Sequence, residues 1–380
     1  MKKLIFILIA LTLLSLCLAI EFEFDGENRT RAAFYNDMSE RDGGHVDNRA
    51  YLGMNAHLFD NLMMRVNLQF GDVIWGDHYI CKEKSSWGGL PAAVDVIAYE
   101  LYVDYRIEAI QSNIRVGQQY WRDNMSLILD DSFSGVMLQM DDLAGFKTDL
   151  GWIKVNEYDP YEKDDYNYFL VNMQTAEKVP MGILASFAHD ANADYSTLTL
   201  MPNISLEADP LSIDAAAFMG IHMIEDADNE IGFGAAVKAN TDLDALNLGA
   251  DILFATENGI ETLSPYYMNG LYIYGIGRHH DGVNLYWDWA GPYNFNADTF
   301  LSFVGQIGAP ITEKIGFFGA AGYLIDEGFE VNAGLEYDII PDLMQLAGYA
   351  AMGWHEDFEY GEKSDGPTNY VLGTTLFIAF

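Results

Sequence analysis

The chain carries nine arginines, and eight of them fall before residue 123. Arg29 and Arg31 stand two apart. Arg49, Arg65, Arg106 and Arg115 recur in stretches where apolar and polar residues alternate. Alternate residues of an extended strand share a face. In those phases all six guanidinium groups fall on the non-apolar face, with Glu23, Asp25, Glu27, Glu100 and Asp104 and with Tyr102 and Gln119. Arginine stays charged and meets a carboxylate through paired hydrogen bonds. A row of arginines beside carboxylates can neutralise a crowded polar surface, or it can set up a field that orders water and sorts solutes. Both readings stand here. Asp214, Asp251, Glu330, Glu336 and Asp338 occupy polar phases of later strands and would complete a transverse field.

Other chemistry is sparse. The sequence has no Gly-x-Ser-x-Gly elbow, phosphate loop or His-Glu-x-x-His motif, so no enzyme is expected. Ser186, His189 and His222 are present, but no spacing joins them. Acidic stretches at 159–165, 190–194 and 225–230 offer ligands for Ca²⁺ or Mg²⁺ without EF-hand spacing. Solvated acidic loops are their plainer reading. His279-His280-Asp281 lacks a full ligand set, so neither a metal centre nor another cofactor is expected. Once residues 1–19 are removed Cys81 stands alone and forms no internal disulfide.

The elements that position these residues begin with an export signal. Lys2 and Lys3 precede an apolar run from Leu4 to Leu18, and Cys17-Leu18-Ala19 precedes Glu21. This reads as a secretory signal over residues 1–19, because the run is short for a spanning helix. The rest, 20–380, reads as one domain. The whole chain has 22 Phe, 23 Tyr and 7 Trp, yet its mean hydropathy is +0.00. That combination fits a transmembrane barrel, where only alternate residues face lipid. The net charge of −37 disfavours nucleic acid as a partner.

Segments of about ten residues alternate in polarity between turn-rich stretches, the pattern of an antiparallel up-and-down transmembrane β-barrel. In the last, Tyr370, Leu372, Thr374, Leu376, Ile378 and Phe380 share one face. We expect about 18 strands (16–20), starting near residues 21, 47, 62, 94, 112, 132, 146, 165, 181, 195, 211, 230, 246, 298, 314, 328, 344 and 369. Connections then sort into short periplasmic turns and long extracellular loops. The 257–297 stretch is the longest. It can fold into the barrel, or residues 270–277 and 283–289 can add a hairpin. Phe22, Phe24, Tyr99, Tyr105, Tyr323, Tyr337, Trp354 and Tyr370 are expected in lipid-facing girdles. Tyr51, Tyr102 and Trp121 are inward aromatics that could stack on a sugar.

Residues 46–140 resemble the alginate-export family of outer-membrane porins. The matching pieces are Arg49-Ala50-Tyr51-Leu52-Gly53, residues 62–72 with Trp75-Gly76, residues 94–105, Ile114-Arg115-Val116-Gly117-Gln118-Gln119, and Phe133-Ser134-Gly135-Val136. The resemblance implies an 18-stranded barrel that passes a saccharide or other small solute. The acidic charge departs from a lumen built for a polyanion.

The reading is therefore an outer-membrane channel of a Gram-negative-type bacterium, passing small polar solutes, saccharides or cations. Arg29, Arg31, Arg49, Arg65, Glu100, Tyr102, Asp104, Arg106, Arg115, Gln119, Asp251 and Glu336 are its expected pore-lining residues. The alternative is a structural or surface-interaction barrel with a plugged lumen. Expected partners are outer-membrane lipid and lipopolysaccharide, a small polar solute, and the barrel-assembly machinery through the strand ending in Phe380. Gly- and Ala-rich outer faces leave a homo-oligomer open.

Overall fold

A computed structural model describes residues 20–38, 41–75, 96–157, 164–175, 179–224, 228–278, 299–325, 328–355 and 369–380. The signal segment, Cys81, the 279–281 cluster and parts of the acidic stretches lie outside them. Eighteen strands are present among the described residues. They are β1 (Glu21–Met38), β2 (Arg41–Phe59), β3 (Leu62–Ile74), β4 (Val96–Ile107), β5 (Ser112–Arg122), β6 (Asp130–Leu143), β7 (Phe146–Asn156), β8 (Tyr166–Thr175) and β9 (Met181–Asp190), followed by β10 (Tyr195–Ala208), β11 (Leu211–Ile224), β12 (Glu230–Leu243), β13 (Leu246–Ala255), β14 (Phe300–Pro310), β15 (Ile315–Leu324), β16 (Gly328–Ile340), β17 (Met344–His355) and β18 (Asn369–Ala379).

Each strand pairs antiparallel with the next, and β18 pairs with β1, so the sheet closes into a barrel. The seam ends in a reciprocal pair. Gly26 N donates to Phe380 O, and Phe380 N donates to Gly26 O, each at 2.9 Å. Closure gives every strand two neighbours and leaves no edge, which is what a sheet needs in lipid.

Alternation sets the two surfaces. On β4, Leu101, Val103 and Tyr105 are exposed, while Glu100, Tyr102 and Asp104 between them are buried. The outward set continues around the barrel with Phe24, Val116, Phe169, Phe187, Phe233, Phe303, Leu335 and Leu372. An apolar belt this continuous belongs against lipid rather than water. Tyr99 departs from its expected lipid-facing position. The register slips between Asn67↔Glu100 and Leu68↔Ala98, and Tyr99 is the extra residue. Its ring lies 5.1 Å from that of inward-facing Tyr51.

The interior is not uniformly wet, as simple alternation predicts. Two connections fold inward, residues 123–129 after β5 and the described residues 256–278 after β13. They pair with each other: Leu263 N donates to Ile128 O and Tyr266 N to Ser126 O, both at 2.9 Å. Leu127, Ile128, Ile260, Tyr267, Leu271, Tyr272, Ile273 and Tyr274 are almost wholly buried. They join Tyr168, Leu184, Met201, Leu253, Phe318 and other inward residues of the β6–β18 side in one apolar core. Residues 270–277 are therefore no barrel strand; their apolar side chains are spent inside the barrel. The other half of the alternative hairpin lies outside the described residues.

Candidate functional site

The charged wall runs along β1 to β5. Arg31 Nε donates to Asp47 Oδ1 at 3.0 Å, and His45 Nε2 lies 3.1 Å from the same carboxylate. Lower down, Arg65 bridges two acids: Nε donates to Glu100 Oε2 at 2.6 Å and Nη1 to Asp25 Oδ2 at 2.8 Å. Asn67 Nδ2 also donates to Glu100, at 3.2 Å. Arg115 Nη2 donates to Asp104 Oδ2 at 2.9 Å and lies 4.5 Å from the centre of the Tyr102 ring. Arg49 covers Tyr51 at 5.2 Å. Arg29 is buried on the same wall. Arg106 sits toward the short-turn end, where Nη1 donates to Asn113 and Nη2 to Asp141, both at 2.7 Å.

Cross-strand register brings these groups together. Arg29 faces Arg49 directly, Arg31 faces Asp47, and Asp104 faces Arg115. Like charges opposite each other repel unless carboxylates are interleaved. Gly53 makes room for one of those carboxylates, since a Cβ there would sit 1.8 Å from Asp25 Oδ1. Gly117 takes φ +129°, and a Cβ there would sit 2.3 Å from Leu101 O. That places an obligatory glycine between Arg115 and Gln119.

The inward connections approach this wall. Asp123 anchors the first: its carboxylate accepts from the backbone N–H groups of Met125, Leu127, Ile128 and Leu129 at 2.8–3.2 Å. Burial pushes the Asp123 carboxyl up, and those four donors pull it part of the way back. Asp130 accepts from Tyr120 and, at 2.6 Å, from Ser126. The Tyr266 hydroxyl comes within electrostatic reach of Arg29, Arg49 and Arg31. Burial pushes its pKa up and disfavours the phenolate, against the pull of those arginines. Tyr266 thus belongs to the electrostatic surroundings of these arginines, together with Asp130.

Other expected residues hold the second connection. Glu330 is fully buried and accepts from the N–H groups of Tyr272, Ile273 and Tyr274 at 2.8, 2.9 and 3.0 Å. Glu336 accepts from Arg278 Nη2 at 2.9 Å. Asp251 is sealed, with Lys238 Nζ 4.0 Å away, and Lys238 donates to Met268 O at 2.8 Å. Gln119 is sealed too and donates to Gly135 O at 3.2 Å. Asp251 and Gln119 therefore face inward but are covered by packing. Of the expected acid wall, Glu330 and Glu336 anchor the inner segment, while Asp338 accepts from Gln345 Nε2 on the neighbouring strand at 2.9 Å. Sequence reasoning missed Asp123, Asp130, Tyr266 and Arg278. The available signal was an apolar run, residues 271–276, in a connection too long for a turn. Among the described residues, no group of three or more His, Cys, Asp or Glu side chains is arranged to hold a metal ion.

No protein-family model matches the sequence, and no curated protein is detectably similar to it. Solved structures do match the fold. OpdK of Pseudomonas aeruginosa, solved with vanillate, superposes with a TM-score of 0.61 at 10% identity, covering 95% of this chain and 98% of its own. The outer membrane protein OprD of the same organism gives 0.57 at 11%, covering 94% and 93%. OccAB1 of Acinetobacter baumannii gives 0.59 at 11%, covering 94% and 96%.

The fold is that of outer-membrane porins. At these identities the likeness is one of architecture. It fits the membrane placement that the apolar belt already requires. The finer resemblance to the alginate-export family over residues 46–140 gains no support from these structures, which are barrels of the OprD and Occ kind.

Proposed function

We propose that this chain is a channel of the outer membrane through which small polar solutes, saccharides or cations among them, diffuse passively. The observation that carries the reading is the asymmetry of the interior. Apolar packing occupies much of the β6–β18 side. On the β1–β5 wall Arg29, Asp47, Glu100 and Asp104 are buried, but other charged groups stay partly solvated, with the Arg65 and Asp25 side chains 16% and 52% exposed. A solute following the polar path would pass Arg31, Arg29 and Arg49, then Arg65 and Arg115. Because Arg31, Arg65 and Arg115 have carboxylate neighbours, much of the wall is locally balanced and favours polar over strongly charged solutes. Vanillate in the OpdK structure makes a carboxylate a sensible additional probe.

The inner packing favours a second reading, a structural or surface-interaction barrel with a plugged lumen. Single-channel recording of the detergent-folded protein in a planar bilayer under a KCl gradient separates the two. Steady channels support the first reading, and preference for K⁺ or Cl⁻ reports which charge governs. No conductance from folded protein moves the assignment to the plugged barrel.

Finer features of this proposal rest on the sequence. They are export through residues 1–19, assembly through the strand ending in Phe380, contact with lipopolysaccharide, and pairing of barrels through the outer faces around Ala217 and Ala321.

A further inference from the structure

The lumen has a second polar recess, away from the arginine wall. It lies beneath the inward 256–278 segment, toward the short-turn end, bounded by β11 to β16, with a volume of about 390 Å³. Small-molecule pockets span about 300–1,000 Å³. Gly249 and Gly308 help to keep it open, at inward positions beside Asn247 and Gln306. A Cβ at Gly308 would make only ordinary contacts, with Phe317 O at 3.6 Å, Asn247 Cβ at 3.7 Å and Arg278 Nη1 at 3.9 Å. The space beside Gly308 is therefore open between an amide and a guanidinium.

The lining defines a ligand class. The Arg278 guanidinium is 2.9 Å from Glu336 and 5.6 Å from the centre of the Phe318 ring. Its charge is matched before any ligand arrives, and Asp242 adds a negative charge at the rim. An anion meets two carboxylates there. Gln306 Nε2 donates to Asn269 O at 2.8 Å, leaving its carbonyl oxygen as an acceptor. Ser212, Asn240 and Asn247 add hydroxyl and amide groups that both donate and accept. Alternating donors and acceptors without net positive charge suit a molecule whose own groups do both.

We propose that this recess binds a neutral, monosaccharide-sized polyol. The inference deepens the channel reading by placing a solute subsite beside the path, but binding there does not require conduction.

The test is equilibrium dialysis of the full, detergent-folded chain against radiolabelled D-glucose, with gluconate and glucosamine as charged counterparts. Gly308→Leu fills the recess, and Asn247→Ala removes one amide. Heat-modifiable gel migration confirms that each variant is folded. Saturable glucose binding is expected, weakened about tenfold or more by Gly308→Leu and about fivefold by Asn247→Ala, as loss of one hydrogen bond near 1 kcal/mol implies. Gluconate is expected to bind more weakly than glucose. No saturable glucose binding, equal binding by folded Gly308→Leu, or tighter binding of gluconate or glucosamine would each overturn the proposal. Folded protein that binds glucose but passes no ions removes the channel reading and keeps the recess. Protein that conducts but binds no glucose does the reverse.

Discussion

Replacing Glu330 with Gln tests what fixes the inner segment. The two side chains have the same shape, so packing is preserved. Glu330 Oε1 accepts from Tyr272 N at 2.8 Å and Asn332 Nδ2 at 2.9 Å, and Oε2 accepts from Ile273 N and Tyr274 N at 2.9 and 3.0 Å. Whichever way the new amide is turned, its NH₂ group meets two donors. A buried donor left unsatisfied costs about 1–3 kcal/mol, so two cost roughly 2–6 kcal/mol. The lower bound raises local opening about thirtyfold. Buried Tyr272, Ile273 and Tyr274 oppose complete release, so loosening is expected to centre on the 270–274 turn. Hydrogen exchange read by mass spectrometry should show peptides over 271–274 exchanging at least about thirtyfold faster while β16 is unchanged, because local opening tracks local free energy. The same protein in a bilayer should show added current noise. Exchange at 272–274 within about twofold of the parent would refute the reasoning, since no local free energy would then depend on the carboxylate.

Two further outcomes follow from the charged wall. Replacing Arg65 and Arg115 together with Ala leaves Asp25, Glu100 and Asp104 without those partners. The reversal potential under a KCl gradient should move toward K⁺, and unchanged selectivity would show that solutes do not pass these groups. Gly117→Ala forces a Cβ against Leu101 O at a left-handed backbone position. It should cost about 1–3 kcal/mol and lower the temperature at which the folded band is lost on a heat-modifiability gel; an unshifted temperature refutes it.

The strand plan was readable because a membrane barrel writes period two into its sequence. Most strands start within two residues of their expected positions. β2 is an exception, beginning at Arg41 rather than near residue 47, because Arg41-Asp42-Gly43-Gly44-His45 carries no apolar alternation. Period two also placed the arginines on one inner wall. It could not reveal which inward positions are dry. Leu253, Phe318 and Met201 are buried in one cluster with the folded-in segments rather than facing lipid or water, and an apolar residue looks the same in either setting. Glu330 reads as one more lumen acid until the three N–H groups near residue 273 are placed over it. Tyr99 was missed because a one-residue bulge reverses the face of everything beyond it.

The seam between β1 and β18 also dictates an order of events. β1 lies next to one partner, β2, in sequence and far from the other, β18. Until β18 docks, the hydrogen-bonding edge of β1 from Glu27 to Asn36 has no mate. An open edge beside apolar Phe34 invites pairing with another chain. Contacts this distant in sequence also form slowly, because loop closure precedes any gain from them. The seam is thus the slow, vulnerable step of assembly, and whatever escorts the chain must shield that edge until the barrel closes in the membrane.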